Sequence, residues 1–182
     1  AAEPPPAWLA QAPSRAEQRA RRVRPNAATM NAARFDAAVA ARDTEAFATL
    51  LADDVESVDH TTGLEYDRRG SLYIWRTLFK AHDTVVRTEP LATLGDSLAL
   101  GALTISASAS TGGGFDVGAV EWDNLVLIEV DTAGRRRRAE VFARPRMGDA
   151  VVRVYERYAE ILPDGPERVR AAATARAATP FL

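Results

Sequence analysis

The chain has 182 residues, 47% of them apolar and 26% charged, enough for one domain with tails but not for two full cores. It has no cysteine, which excludes a disulfide framework, thiolate catalysis and cysteine-ligated metals. A net charge of −2 gives no reason to expect a nucleic-acid partner. Apolar runs such as Leu125 to Ile128 fall far short of the ~20 residues that cross a bilayer, so no membrane partner is expected. No basic stretch followed by an apolar one opens the chain, so no retained signal peptide is read and a cytoplasmic location is expected. Lys80 is the single lysine, leaving little room for Schiff-base chemistry. Two histidines without metal-ligand spacing predict neither a metal site nor a cofactor.

Residues 1–27 read as a Pro- and Arg-rich tail or linker: Pro4 to Pro6 favour extension, and Pro13 and Pro25 bracket an arginine-bearing, helix-capable run. Ala32, Phe35 and Val39 then repeat at helical spacing up to about Arg42. Asp43 caps a second short helix carrying Phe47, Leu50 and Leu51 on one face, which Ala52-Asp53-Asp54 breaks. Val55 to Thr61 alternates as a strand, with Ser57 and Asp59 on one side and Val58 and His60 on the other. Asp67 caps a third helix to about Ala81, with Leu72, Trp75, Leu78 and Phe79 as its buried stripe.

From there the period is two. Strands are predicted over Val85–Leu94, Leu98–Ser110, Val117–Asp131 and Arg136–Ala143. Pro90 marks the first of them as an edge or bulged strand. Thr111 to Gly114 forms a loop without the context of a phosphate-binding turn. An amphipathic helix from Asp149 to Leu162 buries Val151, Val154, Tyr155 and Tyr158. Residues 163–182 read as an Ala- and Arg-rich tail with a short helix. The order of elements predicts an α+β cone: a bent antiparallel sheet wrapped around the N-terminal helices, spanning residues 28–162.

The stretches "ARDTEAFATLLADDVESVDH" and "LVLIEVDTAGRRRRAEVFA", separated by a helix and a strand meander, resemble the nuclear transport factor 2-like superfamily. Within it the chain is similar to SnoaL-like proteins, relatives of polyketide cyclases, ketosteroid isomerases and limonene epoxide hydrolases. "YDRRG", "EPLATLGDSLAL" and "ERYAEILPDGPERVRAAATARAA" look like SnoaL-like modules at the C-terminal end of large actinobacterial proteins. The resemblance implies a cone with an apolar pocket, and a homodimer built on the outer sheet face. It also carries "ADDVESVD" onto the ketosteroid isomerase pattern, which makes Asp59 the proton-transfer base. The position of the isomerase tyrosine is Phe35, which has no hydroxyl. A further pocket acid on a later strand is left open among Glu121, Asp123 and Glu140.

The residues themselves support parts of this site. An Asp59 carboxylate facing an apolar cone would have its pKa raised, as a base requires; the competing reading makes it the cap of the Thr61–Gly63 turn. Asn124 is one amide in the apolar row Val120, Trp122, Val126, Ile128, and would donate to a ligand carbonyl beside the flat wall of Trp122. Tyr66 and Tyr73 are candidate rim donors, and His60 and Phe35 candidate ligand contacts. Trp75 reads as core. The four arginines from Arg135 to Arg138 read as solubilising edge charge. The function expected is a binding domain for a small apolar carbonyl-containing ligand, acting as sensor or accessory module. The alternative is a cofactor-independent cyclase or isomerase using Asp59 and Asn124.

Overall fold

The computed structural model describes residues 23–108 and 120–178. Most of the expected tail, the Gly112–Gly114 loop and the outer ends of the two long strands beside it lie outside the described residues. Within them are five α-helices, α1 (Ala27–Ala40), α2 (Thr44–Thr49), α3 (Arg68–Lys80), α4 (Met147–Ile161) and α5 (Pro166–Ala178). Six strands accompany them: β1 (Leu51–Asp59), β2 (Leu64–Tyr66), β3 (His82–Leu94), β4 (Leu98–Ser108), β5 (Val120–Val130) and β6 (Arg136–Ala143). None of the described helices is long and apolar enough to cross a membrane.

Capping fixes where the helices start. Asn26 accepts from the Thr29 amide at 3.0 Å while Thr29 Oγ1 accepts from the Asn26 amide at 2.9 Å, a reciprocal box that holds the first turn of α1. The Asn26 amide group also donates to the Leu98 carbonyl at 2.8 Å, tying α1 to the β3–β4 hairpin. Asp43 caps α2 and Asp67 caps α3, each through a side-chain oxygen accepting from the backbone three residues on.

The strands form one curved, unclosed sheet in the order β2-β1-β6-β5-β4-β3. The four meander strands pair antiparallel with their neighbours, as expected. The sheet as a whole is mixed, because β1 lies parallel to β6 with Ser57 opposite Ala139 and Asp59 opposite Val141. β1 also starts four positions before the expected Val55. Leu51 and Ala52 are buried, and a register shift between Leu51 and Glu56 lets Asp53 and Asp54 point to solvent. The two aspartates therefore mark a bulge rather than a chain break. Pro90 sits on an edge strand at a register shift, as its missing N–H requires. Opposite it, Gly101 is packed so closely that a Cβ would meet Thr88 Cγ2 at 2.8 Å.

Each face of the sheet has its own core. On the concave face, α1, α2 and α3 bring Phe35, Phe47, Trp75 and Phe79 together, with ring centroids 4.6–5.5 Å apart. They pack over Val55, Val126 and Ile128. On the convex face, Leu98, Leu100, Leu125, Leu127 and Phe142 receive Ala150 and Val154 of α4. The apolar side of α4 differs from the expected stripe: Ala150, Val152, Val154 and Ala159 are buried, while Val151 and Tyr158 are only partly so. The cause is that α4 is covered twice, by the sheet and by α5, whose Ala171 and Ala175 are buried.

Candidate functional site

Alternation along β5 divides its side chains. Val126, Ile128 and Val130 belong to the concave core, and Leu125 and Leu127 to the convex one. Asn124 is thereby directed to the concave side, at a register position between Leu103 of β4 and Ala143 of β6. It is half-buried, and its side chain makes no hydrogen bond among the described residues. Trp122, two positions nearer the strand's start, is 45% exposed. The two lie at the end of the concave face where β5 begins.

Asp59 ends β1 on the same side, yet its carboxylate is engaged. Oδ1 accepts from the Thr61 amide at 2.8 Å and from the Thr61 hydroxyl at 2.6 Å. Partial burial works to raise its pKa, but the hydrogen bonds from Thr61 and Thr62 outweigh it and the net direction is down. This is the turn-capping arrangement, and it corrects the expectation of a raised pKa. His60 faces away from the cone. Its Nε2 lies 2.9 Å from Glu140 Oε2 and its ring stacks on Phe142 at 4.3 Å, both on the convex side.

None of the three later acids faces the concave side. Glu121 and Asp123 are exposed, on the β5 face opposite Asn124. Glu140 is 1% exposed but buried beneath α4, where Arg138 Nε (2.5 Å) and Arg153 Nε (3.0 Å) donate to it. Burial there pushes its pKa up, but hydrogen bonds from Arg153, Arg138 and His60 hold it at about 2. Tyr73 is 73% exposed on α3, and Tyr66 is half-buried on β2 beside Gly70. Phe35, read as a ligand contact, is 2% exposed in the middle of the aromatic core.

A polar cluster that the sequence reading missed sits within the concave core. Asn31 and Arg136 are 1% and 6% exposed. Arg136 Nε donates to Asn31 Oδ1 at 3.0 Å, and its guanidinium carbon stands 4.0 Å over the Phe35 ring. Asn31 Nδ2 donates to the Leu50 and Gly134 carbonyls. Close by on α1, Asp36 accepts from the Thr88 amide at 2.7 Å and hydroxyl at 3.0 Å. Burial raises the Asp36 pKa, against the pull of Thr88 and Arg136. Burial lowers that of Arg136 to about 10, which still leaves it cationic at neutral pH. Arg136 is thus an interior group on a central strand, not edge charge. Asn31 and Phe35, four apart on α1, carried a signal of one shared face; nothing local in the arginine run singled out Arg136.

This architecture, helices inside a curved, unclosed sheet, is the nuclear transport factor 2-like cone that the sequence resemblance implies. A computationally designed 17-OHP binder superposes with a TM-score of 0.54 at 17% identity, over 68% of this chain and 96% of that one. RV0760c from Mycobacterium tuberculosis gives 0.53 at 18% identity, over 69% of this chain and 97% of that one. RV0760c has also been solved in complex with estradiol-17beta-hemisuccinate. An LEH-like epoxide hydrolase from M. tuberculosis gives 0.50 at 16% identity, over 70% and 91%. At these identities the likeness is one of fold. No protein-family model and no curated protein matches the chain in sequence.

Proposed function

We propose that this domain is a small-molecule-binding module of SnoaL type, without catalytic activity of its own, acting as a sensor or accessory unit. Its ligand is a small apolar molecule bearing a carbonyl, taken up on the concave face beside Asn124 and Trp122. The observation that carries this reading is the contrast between two side chains on that face. The Asp59 carboxylate is engaged at Oδ1 and acidified by its turn, whereas the half-buried Asn124 amide keeps its donors free among the described residues beside a solvent-reaching Trp122. A pocket donor without a pocket base binds carbonyls; it does not move their α-protons. That the same fold serves a designed binder and holds an estradiol derivative in RV0760c supports the reading.

Tyr66 and Tyr73 would act only at the rim. Homodimerisation belongs to the proposal as well. It would use the part of the convex face that α4 leaves open, around Val85 (58% exposed) and Arg87. A cytoplasmic location is part of the same reading.

Calorimetric titration with apolar ketones, progesterone and 2-acetonaphthone, tests it. Asn124→Leu is expected to weaken binding about tenfold, the loss of one buried hydrogen bond. Asp59→Asn is expected to leave affinity within about twofold. Deuterium exchange at the ketone α-carbon that the wild type accelerates and Asp59→Asn abolishes would restore the enzyme and overturn the binding-only reading.

A further inference from the structure

The two sides of α3 are unlike. Inward, Leu72, Trp75 and Phe79 pack on the concave core. Outward, Arg69, Tyr73, Arg76 and Lys80 are exposed, Tyr73 to 73%. Their spacing of four, three and four residues keeps them within about 60° of the helix surface, along about 16 Å of its length. The helix itself contains no Asp or Glu, and Glu65, Asp67 and Asp83 lie beyond its ends. Among the described residues no carboxylate comes within 4.0 Å of Arg69, Arg76 or Lys80. The arginines of α4 contrast with them, for Arg153 and Arg157 both reach carboxylates of their own chain. Arg42 adds a fourth cation at the far end of α3, where its Nη2 donates to the carbonyl of the capping residue Ala81 at 3.2 Å.

We infer that this outer stripe of α3 is a docking surface for an acidic segment of another protein, a helix whose carboxylates repeat along one face. The inference stands apart from the ligand reading. Charge complementarity sets the sign of the partner. Arg76 and Lys80, four apart, are a like-charge pair that costs the helix stability on its own, and a facing row of carboxylates reverses that cost. The composition agrees: Tyr and Arg are enriched where interfaces concentrate their binding energy, and Tyr73 stands between Arg69 and Arg76. Length decides between kinds of anion. About 16 Å is roughly three turns of a facing helix. A nucleic acid would run past the stripe over a chain whose net charge is −2. An anionic bilayer calls for about 4–8 clustered cations, and no large aliphatic side chain stands in the stripe to enter one.

The test uses a fluorescent, alanine-based helical peptide with glutamates spaced four, three and four residues apart, and a twin with glutamine in their place. Anisotropy gives the affinity at low and at physiological salt, and backbone amide shifts of the wild-type chain give the location. The glutamate peptide is expected to bind, to weaken as salt screens it, and to move the amides of Arg69 to Lys80, whereas the glutamine twin does none of this. Arg69→Gln combined with Arg76→Gln should weaken binding about fivefold, since exposed pairs are individually weak. Arg170→Gln combined with Arg176→Gln removes the same charge from exposed positions on α5 and should leave affinity within about twofold. Equal losses in the two double variants would reduce the effect to net charge and overturn the proposal. So would equal binding of the glutamine twin, or no binding at low salt. Tighter binding of oligothymidylate or of phosphatidylserine vesicles through the same α3 amides would give the stripe to a nucleic acid or a membrane and overturn the acidic-segment assignment. The wild-type amide shifts decide the location even if a variant does not fold.

Discussion

The two faces of the sheet handle buried charge in opposite ways. Beneath α4, Glu140 and Glu129 are 1% and 2% exposed, and each is met by arginines: Glu140 by Arg138 and Arg153, Glu129 by Arg157 at 2.5 Å. Glu160 then bridges Arg153 at 3.0 Å and Arg157 at 2.7 Å, so the convex lattice closes on itself. Inside the cone a single buried arginine has an amide and an aromatic ring, but no carboxylate within ion-pair distance among the described residues. A closed lattice orients a helix; a lone guanidinium on an aromatic ring fixes the packing around it. The comparison assigns helix seating to the convex charges and core packing to the concave cation, which an amide and an aromatic ring hold in place.

The largest effect should come from breaking the convex lattice. Glu140→Ala leaves Arg138 and Arg153 facing a buried void in place of their shared acceptor, and is expected to cost about 3–5 kcal/mol in denaturant-induced unfolding. A cost below about 1 kcal/mol would mean that the Leu125, Leu127 and Val154 contacts alone seat α4, and the contrast between the faces would lose its convex half.

Acid should act through the same hub. The folded pKa of Glu140, about 2, lies below its ordinary value of 4.5. Its contribution to stability is therefore complete above about pH 4.5 and disappears as the pH falls toward 2. The size follows from the shift, roughly 3 kcal/mol at most. Unfolding free energies measured between pH 6 and pH 2 should fall more steeply for the wild type than for Glu140→Gln, and parallel curves would contradict the assignment.

On the concave side the effects are smaller. Gly101→Ala drives a methyl group toward Thr88 Cγ2 and the Glu89 carbonyl, and a loss of about 1–3 kcal/mol is expected by thermal unfolding. Asp59→Asn weakens the acceptor of the Thr61 turn and should cost only about 0.5–1.5 kcal/mol, with ketone binding intact. A larger loss of binding than of stability would return Asp59 to the site.

Much of this was legible in the chain itself. The bounds of β6, the edge position of Pro90, and the caps at Asp43 and Asp67 all follow from local chemistry, and local chemistry is what a sequence displays. The parallel pairing of β1 with β6 was not, because it joins segments about 80 positions apart with no turn between them to announce it. Arg136 was hidden for a sharper reason. Counting alternately back from Val141 and Ala139 assigns Arg137, not Arg136, to the concave side; the register shift between Glu129 and Val130 pairs Arg138 and Arg136 with consecutive β5 residues and reverses the phase. A bulge of one residue thus moved a guanidinium from the surface to the interior. The expected rise of the Asp59 pKa failed on energetics rather than position: it lies on the expected face, but two hydrogen bonds from Thr61 stabilise its charged form.

The most direct test of the account follows backbone amide shifts across the whole chain while 2-acetonaphthone is added. Shifts concentrated at Leu103, Asn124 and Ala143, neighbours across three adjacent strands, with α4 unmoved, are the result expected of a concave binding module. Shifts confined to α4 and α5, or none at saturating ketone, would contradict it.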